Sequence, residues 1–459
     1  MATKKDGNDA LNGGDAYRAS STVEELLLAA QERGDESFQT GRYLVTFKEG
    51  AGEEGLKSLT TTQGMRVADV RDFEGQTATL ESVGDAEAVY FPEVGVALIG
   101  GNAAQERNMG AQFEITADSL IESIDPEYFV FAENVYAEYL SGYAGSTEGK
   151  SGEYLRGFLR AAEMITKDLQ QGSGNFQVDT EEEVQVLGVT WGLNACKVPP
   201  SLRSGAGIKV AVLDTGMDLG HPDFVGRAVS SAQFVGQPVQ DLHSHGTHCI
   251  GTACGPKAPA GNTPRYGIGY RSSIFVGKVL SNSGSGTTAS VLAGMNWAIA
   301  NRCQVISMSL GGPGGPVPSY TAAGNAALNN GLLIIAAAGN NALPTGSPAN
   351  SPSIMSVASV NASLAPSAFS NFGKIDIAGP GENVFSSVPR PTRYGLKTGT
   401  SMATPHVAGC AALWAETSPS LRGINLWRKL EATAKRYPPY FPPYPPKHPR
   451  LGAGLVQAP

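Results

Sequence analysis

No apolar run in this chain is long enough to span a bilayer; the longest strongly apolar stretch covers only residues 332–338. Basic clusters are missing too. With 34 Lys and Arg against 42 Asp and Glu, the net charge is −8, which excludes the electrostatic footprint of a nucleic-acid-binding or anionic-membrane protein. Cysteine is scarce: five residues, none in a CxxC spacing, so no disulfide framework is expected in so long a chain. Cys196, Cys249, Cys254, Cys303 and Cys410 read instead as small buried apolar residues, and an all-thiol state accords with an intracellular setting. The opening residues Met1 to Asn8 lack the apolar core of a secretory leader. The expectation is a protein that stays in the cytoplasm or leaves it by a route not visible in this chain.

Glycine and proline, by contrast, are plentiful, at 57 and 29 residues, and imply many tight turns and long shaped loops. The apolar fraction of 41% and charged fraction of 17% are those of a soluble globular protein. A length of 459 residues exceeds one core, so two domains are expected. Residues 1–40 read as a flexible tail with a short helix, its start marked by the capping-box pattern from Thr22 to Glu25. Residues 41–140 alternate strand and helix signals: strands at 42–48, 65–71, 94–99 and 127–133, and a helix at 53–62. This is the pattern of a small α+β domain, with residues 73–91 reading as an insertion. Residues 141–183 read as a linker in which Tyr154, Leu155, Phe158, Leu159, Ala162, Ile165 and Leu169 recur at helical spacing. The proline-rich residues 438–446 read as a rigid extended strap.

Over 184–459, continuous apolar strands (208–213, 274–280, 305–308, 332–338) alternate with helical stretches such as 288–300. That alternation specifies an α/β domain, a parallel sheet with helices on both faces and its site at the carboxyl ends of the strands. Three glycine-punctuated blocks stand at such ends or at helix starts: Val212-Leu213-Asp214-Thr215-Gly216, His245-Gly246-Thr247-His248, and Gly399-Thr400-Ser401-Met402-Ala403. Asp, His and Ser in these turns suit a nucleophile, its base and the base's orienter. Taken singly, each has a plainer reading: Ser401 as a helix N-cap, Asp214 as a turn cap, and His243, His245, His248, Cys249 and Cys254 as a zinc cluster. The zinc reading leaves Asp214 and the Ser401 block unexplained. Pro405 cannot donate to the Ser401 carbonyl, which marks a helix entry not shaped for helical stability alone.

Together and in the order Asp, His, Ser, the blocks resemble the signatures of the subtilisin-like serine proteases, the subtilases. The resemblance runs from about Trp191 to Val456. It implies a subtilisin-like parallel-sheet domain preceded by a prodomain-like α+β domain, and a serine endopeptidase made as a self-processing precursor. It further implies Ser401 as nucleophile, His245 as general base, Asp214 as its orienter and Asn340 as oxyanion donor. Ser309, Leu310, Gly311 and Gly312, with Ala337 and Gly339, would bind extended peptide. No acidic residue lies in 309–312 or 339–349, so an apolar or broad preference before the cut is expected.

Cys249, four residues after His245, resembles the thiol-containing proteinase K branch and implies inhibition by mercury. That branch also implies a structural calcium held by Pro352, Ile354 and Asp376, with no cofactor required for catalysis. The calcium loop of bacterial subtilisins is matched at Asp223 but departs over 256–264. Expected partners are peptide or protein substrates and the chain's own N-terminal domain as an intramolecular inhibitor, on a monomer that binds no nucleic acid and no membrane. Two other readings remain at this point: a dedicated maturation protease using the N-terminal domain for recognition, and an inactive binding scaffold.

Overall fold

The computed structural model describes residues 22–32, 38–110, 115–132, 188–437 and 448–459. The expected disordered tail, the linker helix with Tyr154 to Leu169 and the strap at 438–446 lie outside the described residues. Among the described residues no helix is long and apolar enough to cross a membrane.

The chain opens with α1 (Val23–Glu32). Its capping box forms as the sequence specifies: the Glu25 amide donates to Thr22 Oγ1 at 3.2 Å and the Thr22 amide to Glu25 Oε2 at 2.7 Å. Then follow β1 (Gln39–Phe47), α2 (Gly52–Thr61), β2 (Val67–Asp69), β3 (Ala88–Phe91), β4 (Val96–Ile99), α3 (Gly101–Glu106) and β5 (Ile121–Ala132). Where an insertion was expected at 73–91, the chain makes two 3-10 turns and then β3, a full member of the sheet between β4 and β2. Residues 88–91 are buried throughout, so they lack the alternation by which a half-exposed strand is read.

The larger unit comprises α4 (Trp191–Ala195), β6 (Lys209–Asp214), β7 (Val229–Gln233), α5 (His245–Cys254), β8 (Ser273–Lys278), β9 (Ser285–Thr287), α6 (Thr288–Ala300), β10 (Val305–Met308) and β11 (Leu310–Gly311). It continues through α7 (Pro318–Asn329), β12 (Leu333–Ala337), β13 (Met355–Val360), β14 (Ile377–Pro380), the hairpin β15 (Val384–Ser387) and β16 (Tyr394–Lys397), α8 (Thr400–Thr417) and α9 (Gly423–Thr433). Its sheet runs β14-β13-β12-β10-β6-β8-β7, parallel throughout.

Alternate residues of each strand feed two cores. Ala211, Leu213, Ile306 and Ile334 pack with α6 and α7 on one face. Val210, Val212, Val305 and Leu333 pack with α5 and α8 on the other. A strand buried on both faces has no polar side to show, which explains the continuous apolar runs. This is an α/β fold with helices on both faces of a parallel sheet.

The N-terminal sheet is also buried twice. Val45, Phe47 and Ala97 pack with Leu59 of α2 and with Ala103 and Ala104 of α3. Leu44, Val96, Leu98 and Phe129 join the core built on α6 and α7. Strand β5 goes further and pairs antiparallel with both β9 and β11, matching Phe131 to Ser285 and Gly311, and Ala132 to Leu310.

Candidate active site

Four of the sequence-predicted residues converge at the carboxyl ends of β6 and β12 and the N-termini of α5 and α8. Asp214 is the last residue of β6 and His245 the first of α5. Asp214 Oδ1 accepts from His245 Nδ1 at 2.8 Å and from the Thr215 amide at 2.7 Å. Both side chains are fully buried, where little solvent screens the contact. With Nδ1 committed, the other ring nitrogen, Nε2, is buried and makes no hydrogen bond to a described residue. That leaves it available for a proton.

Ser401 stands in the first turn of α8 and is likewise buried. Its hydroxyl donates to the Ser309 carbonyl at 3.3 Å, and its own carbonyl, which Pro405 cannot serve, accepts from Ser309 Oγ at 2.7 Å and from Cys249 Sγ at 3.6 Å. The helix entry is therefore closed by side chains of two other elements. Burial pushes the Cys249 thiol well up, which keeps it protonated and able to donate. Its sulfur also lies 3.9 Å from His245 Nδ1.

Asn340 sits just past β12. Its Oδ1 accepts from the Thr400 amide at 2.8 Å and from Thr400 Oγ1 at 2.9 Å, which fixes the side-chain orientation beside Ser401. Asn341, its rival in the sequence, instead donates its backbone amide to Asn371 Oδ1. Leu310 and Gly311 form β11 and are occupied by β5. Gly312 and Ser347 exchange backbone hydrogen bonds at 2.9 and 3.1 Å, joining the Ser309–Gly312 segment to the loop after Asn340. Gly339 has φ 113°, and a Cβ there would strike the side chain of Asn371.

The sequence reading missed a buried brace around this pair. Asp241, 0% exposed, accepts at Oδ1 from Thr215 Oγ1 (3.0 Å) and the His243 and Ser244 amides (both 2.9 Å). Its Oδ2 accepts from the Thr247 amide (2.9 Å) and hydroxyl (2.7 Å). Thr215 Oγ1 in turn accepts from the Gly246 amide at 2.9 Å. One carboxylate thus ties the turn after Asp214 to the start of the helix that carries His245, and it holds Ser244 at φ 78°, a conformation costly for a side chain. Beside it Lys278, fully buried, donates to the Thr215 carbonyl and to Asn282 Oδ1, and burial draws its pKa down to about 8. An Asp four residues before the first His of the His-Gly-Thr-His block was a signal available in the sequence, but nothing in the spacing told it from a turn cap.

The zinc cluster does not assemble. His248 Nε2 bonds the Val384 carbonyl at 2.9 Å, and among the described residues only Asp214, His245 and Cys249 bring potential metal-binding atoms together. At the residues expected to hold calcium, a side chain of the chain itself makes contact. Lys374 Nζ contacts both the Ile354 carbonyl and, at 2.7 Å, Asp376 Oδ2, which accepts from Ser356 as well. An ammonium therefore stands between two of the three expected ligands, Ile354 and Asp376. Asp223 is likewise engaged, accepting from the hydroxyls of Tyr266 at 2.6 Å and Tyr394 at 3.1 Å.

Residues 205–450 match the Subtilase family, Peptidase S8. The chain is 39% identical over 259 residues to subtilisin E of Bacillus subtilis, covering 54% of this chain and 66% of that one, just under two thirds of the relative's length. It is 39% identical to a subtilisin of Bacillus pumilus, of which 91% is covered, and 38% identical over 263 residues to the M-protease of Shouchella clausii. A solved cold adapted subtilisin-like serine proteinase is 31% identical, with 59% of this chain and 97% of that chain covered and a TM-score of 0.49. The chain belongs to the subtilase family of serine proteases.

Proposed function

We propose that this chain is a serine endopeptidase made as a self-processing precursor. In this reading, peptide binds extended between Ser309–Gly312 and the Ala337–Gly339 segment. Ser401 turns its hydroxyl from the Ser309 carbonyl to His245 Nε2, loses its proton there and attacks the carbonyl carbon. Asp214 stabilises the imidazolium, and the Asn340 amide with the Ser401 backbone amide receives the oxyanion. His245 then protonates the leaving amine, and water releases the acyl-enzyme.

One observation carries the reading: β5 adds to the edges of β9 and β11 as an extended peptide would, running toward Ser309, whose side chain bonds the Ser401 carbonyl. This supports a role for the N-terminal domain as intramolecular inhibitor, its trailing strand lying where substrate lies. The residues of 309–312 and 339–349 offer no carboxylate, which favours apolar or broad selection before the cut.

The test compares wild type with Ser401→Ala by intact mass and casein hydrolysis over time. Wild type is expected to lose its N-terminal part and digest casein, and the variant to do neither. A wild type that stays whole and inert overturns the reading.

A further inference from the structure

Helix α1 stands apart from both sheets. Its apolar residues Val23, Leu26, Leu27 and Ala30 fall at the i, i+3, i+4, i+7 spacing that gathers them on one face, and all four are buried. That face does not serve the core between the N-terminal sheet and its own helices: the cluster of Val45, Phe47, Leu59 and Ala97 holds no residue of α1. It joins instead the core that crosses the joint, with Leu44 and Leu98 of the N-terminal sheet and Phe234, Val235 and Ala293 of the larger unit. The helix lies against β9 as well as β1. Where the three parts meet, Val23 shares the wall of a cavity of about 50 Å³ with Leu80, Phe91, Phe234 and Val235.

A polar thread runs inward from the same helix. Gln237 Nε2 donates to Glu24 Oε1 at 3.3 Å, and Gln237 Oε1 accepts from the Asn282 amide at 2.8 Å. Asn282 Oδ1 accepts in turn from Lys278 Nζ at 2.9 Å, and Lys278 also serves the Thr215 carbonyl, next to Asp214. Asn282 belongs to the loop that leads into β9, one of the two edges that β5 occupies. The first turn of α1 thus fastens the approach to that edge without using a residue of β5. A helix buried against two units stabilises their union by the apolar area it covers, and favours the joined state over the separated one.

We propose that α1 is a second grip of the N-terminal unit on the catalytic unit, a latch outside the cleft that must lift before β5 can leave. The inference rests on the peptidase reading above and deepens it, by naming what times the release. Strand β5 fills the cleft; α1 decides how long it stays there.

The experiment follows the full-length protein by intact mass and casein hydrolysis, reading the lag before hydrolysis and the final rate per processed molecule. Leu27→Asp should shorten the lag roughly fivefold and leave the final rate unchanged, because the released part carries α1 away. Gln237→Glu sets a second carboxylate against Glu24 and should shorten the lag about twofold. Adding Glu24→Lys to Gln237→Glu restores opposite charges and should return the lag to that of wild type. A contribution of α1 to folding alone would not give that recovery. A lag unmoved by Leu27→Asp or by Gln237→Glu overturns the inference alone, as does a Gln237→Glu lag that Glu24→Lys fails to restore. Where Leu27→Asp yields no folded protein, the Gln237 and Glu24 variants decide. A wild type that never acquires activity overturns the peptidase reading and the inference with it.

Discussion

At the scale of single residues, the candidate site is defined by what each atom has already given away. His245 has spent Nδ1 on Asp214, Asn340 its oxygen on Thr400, and Ser401 its carbonyl on Ser309 and Cys249. What remains are Nε2, an amide and a hydroxyl held only by a 3.3 Å bond to the Ser309 carbonyl, the three groups that acyl transfer needs. Cys249 is the soft atom among them. Mercuric ion should seek its sulfur together with the imidazole 3.9 Å away and stop the enzyme. Casein hydrolysis should fall more than tenfold with one equivalent of mercury, and Cys249→Ala should be indifferent to it. Undiminished wild-type activity at that dose would exclude a thiol that communicates with the base.

Elements show where sequence reading succeeds and where it stops. Strands β6, β10 and β12 were legible because long apolar runs have few rivals, and helix α6 because it fills the interval between two such strands. Asp214, His245 and Ser401 were legible because glycine-rich turns frame them. Strand β3 and the Asp241 brace were not: a short buried strand has no alternation, and a buried Asp acquires its meaning only from donors brought in by Thr215 and Thr247. Helix α8 carries a consequence for acid stability. His406 on that helix is 1% exposed, bonds the Met402 carbonyl at 2.8 Å through Nδ1, and is held by burial at a pKa of about 4 against 6.5 when free. The unfolded chain therefore binds a proton that the folded one refuses between those values. Stability falls as pH drops from 6.5 toward 4, by about 2 kcal/mol at pH 5 from this residue. His406→Asn, which keeps a donor but does not titrate, should flatten the melting temperature between pH 7 and pH 5. An unchanged slope would show that other groups set it.

For the molecule as a whole, the joint between the two units carries a charge. Glu127 of β5, fully buried, accepts from Arg42 Nε and Thr40 Oγ1, both at 2.6 Å, and from the Ala289 amide at the start of α6 at 3.2 Å. A carboxylate from one unit caps a helix of the other, where the helix dipole favours it. Arg42 is itself buried and also pairs with Glu81 at 2.5 Å. Removing Glu127 leaves that guanidinium to Glu81 alone and the helix end without its carboxylate, at a cost of about 2 kcal/mol. Glu127→Ala in the full chain should lower the melting temperature and shorten the lag before casein hydrolysis, because the N-terminal unit lets go sooner. A lag of unchanged length would mean that β5 alone sets the grip.

Lys374 has a different kind of consequence. A metal ion in a loop is a tenant with a dissociation constant, lost to dilution, to chelators or to an acid rinse. A side chain that reaches between Ile354 and Asp376 cannot leave, because it is bonded to the chain it steadies. At that corner of the fold, the link between the starts of β13 and β14 travels with the chain itself.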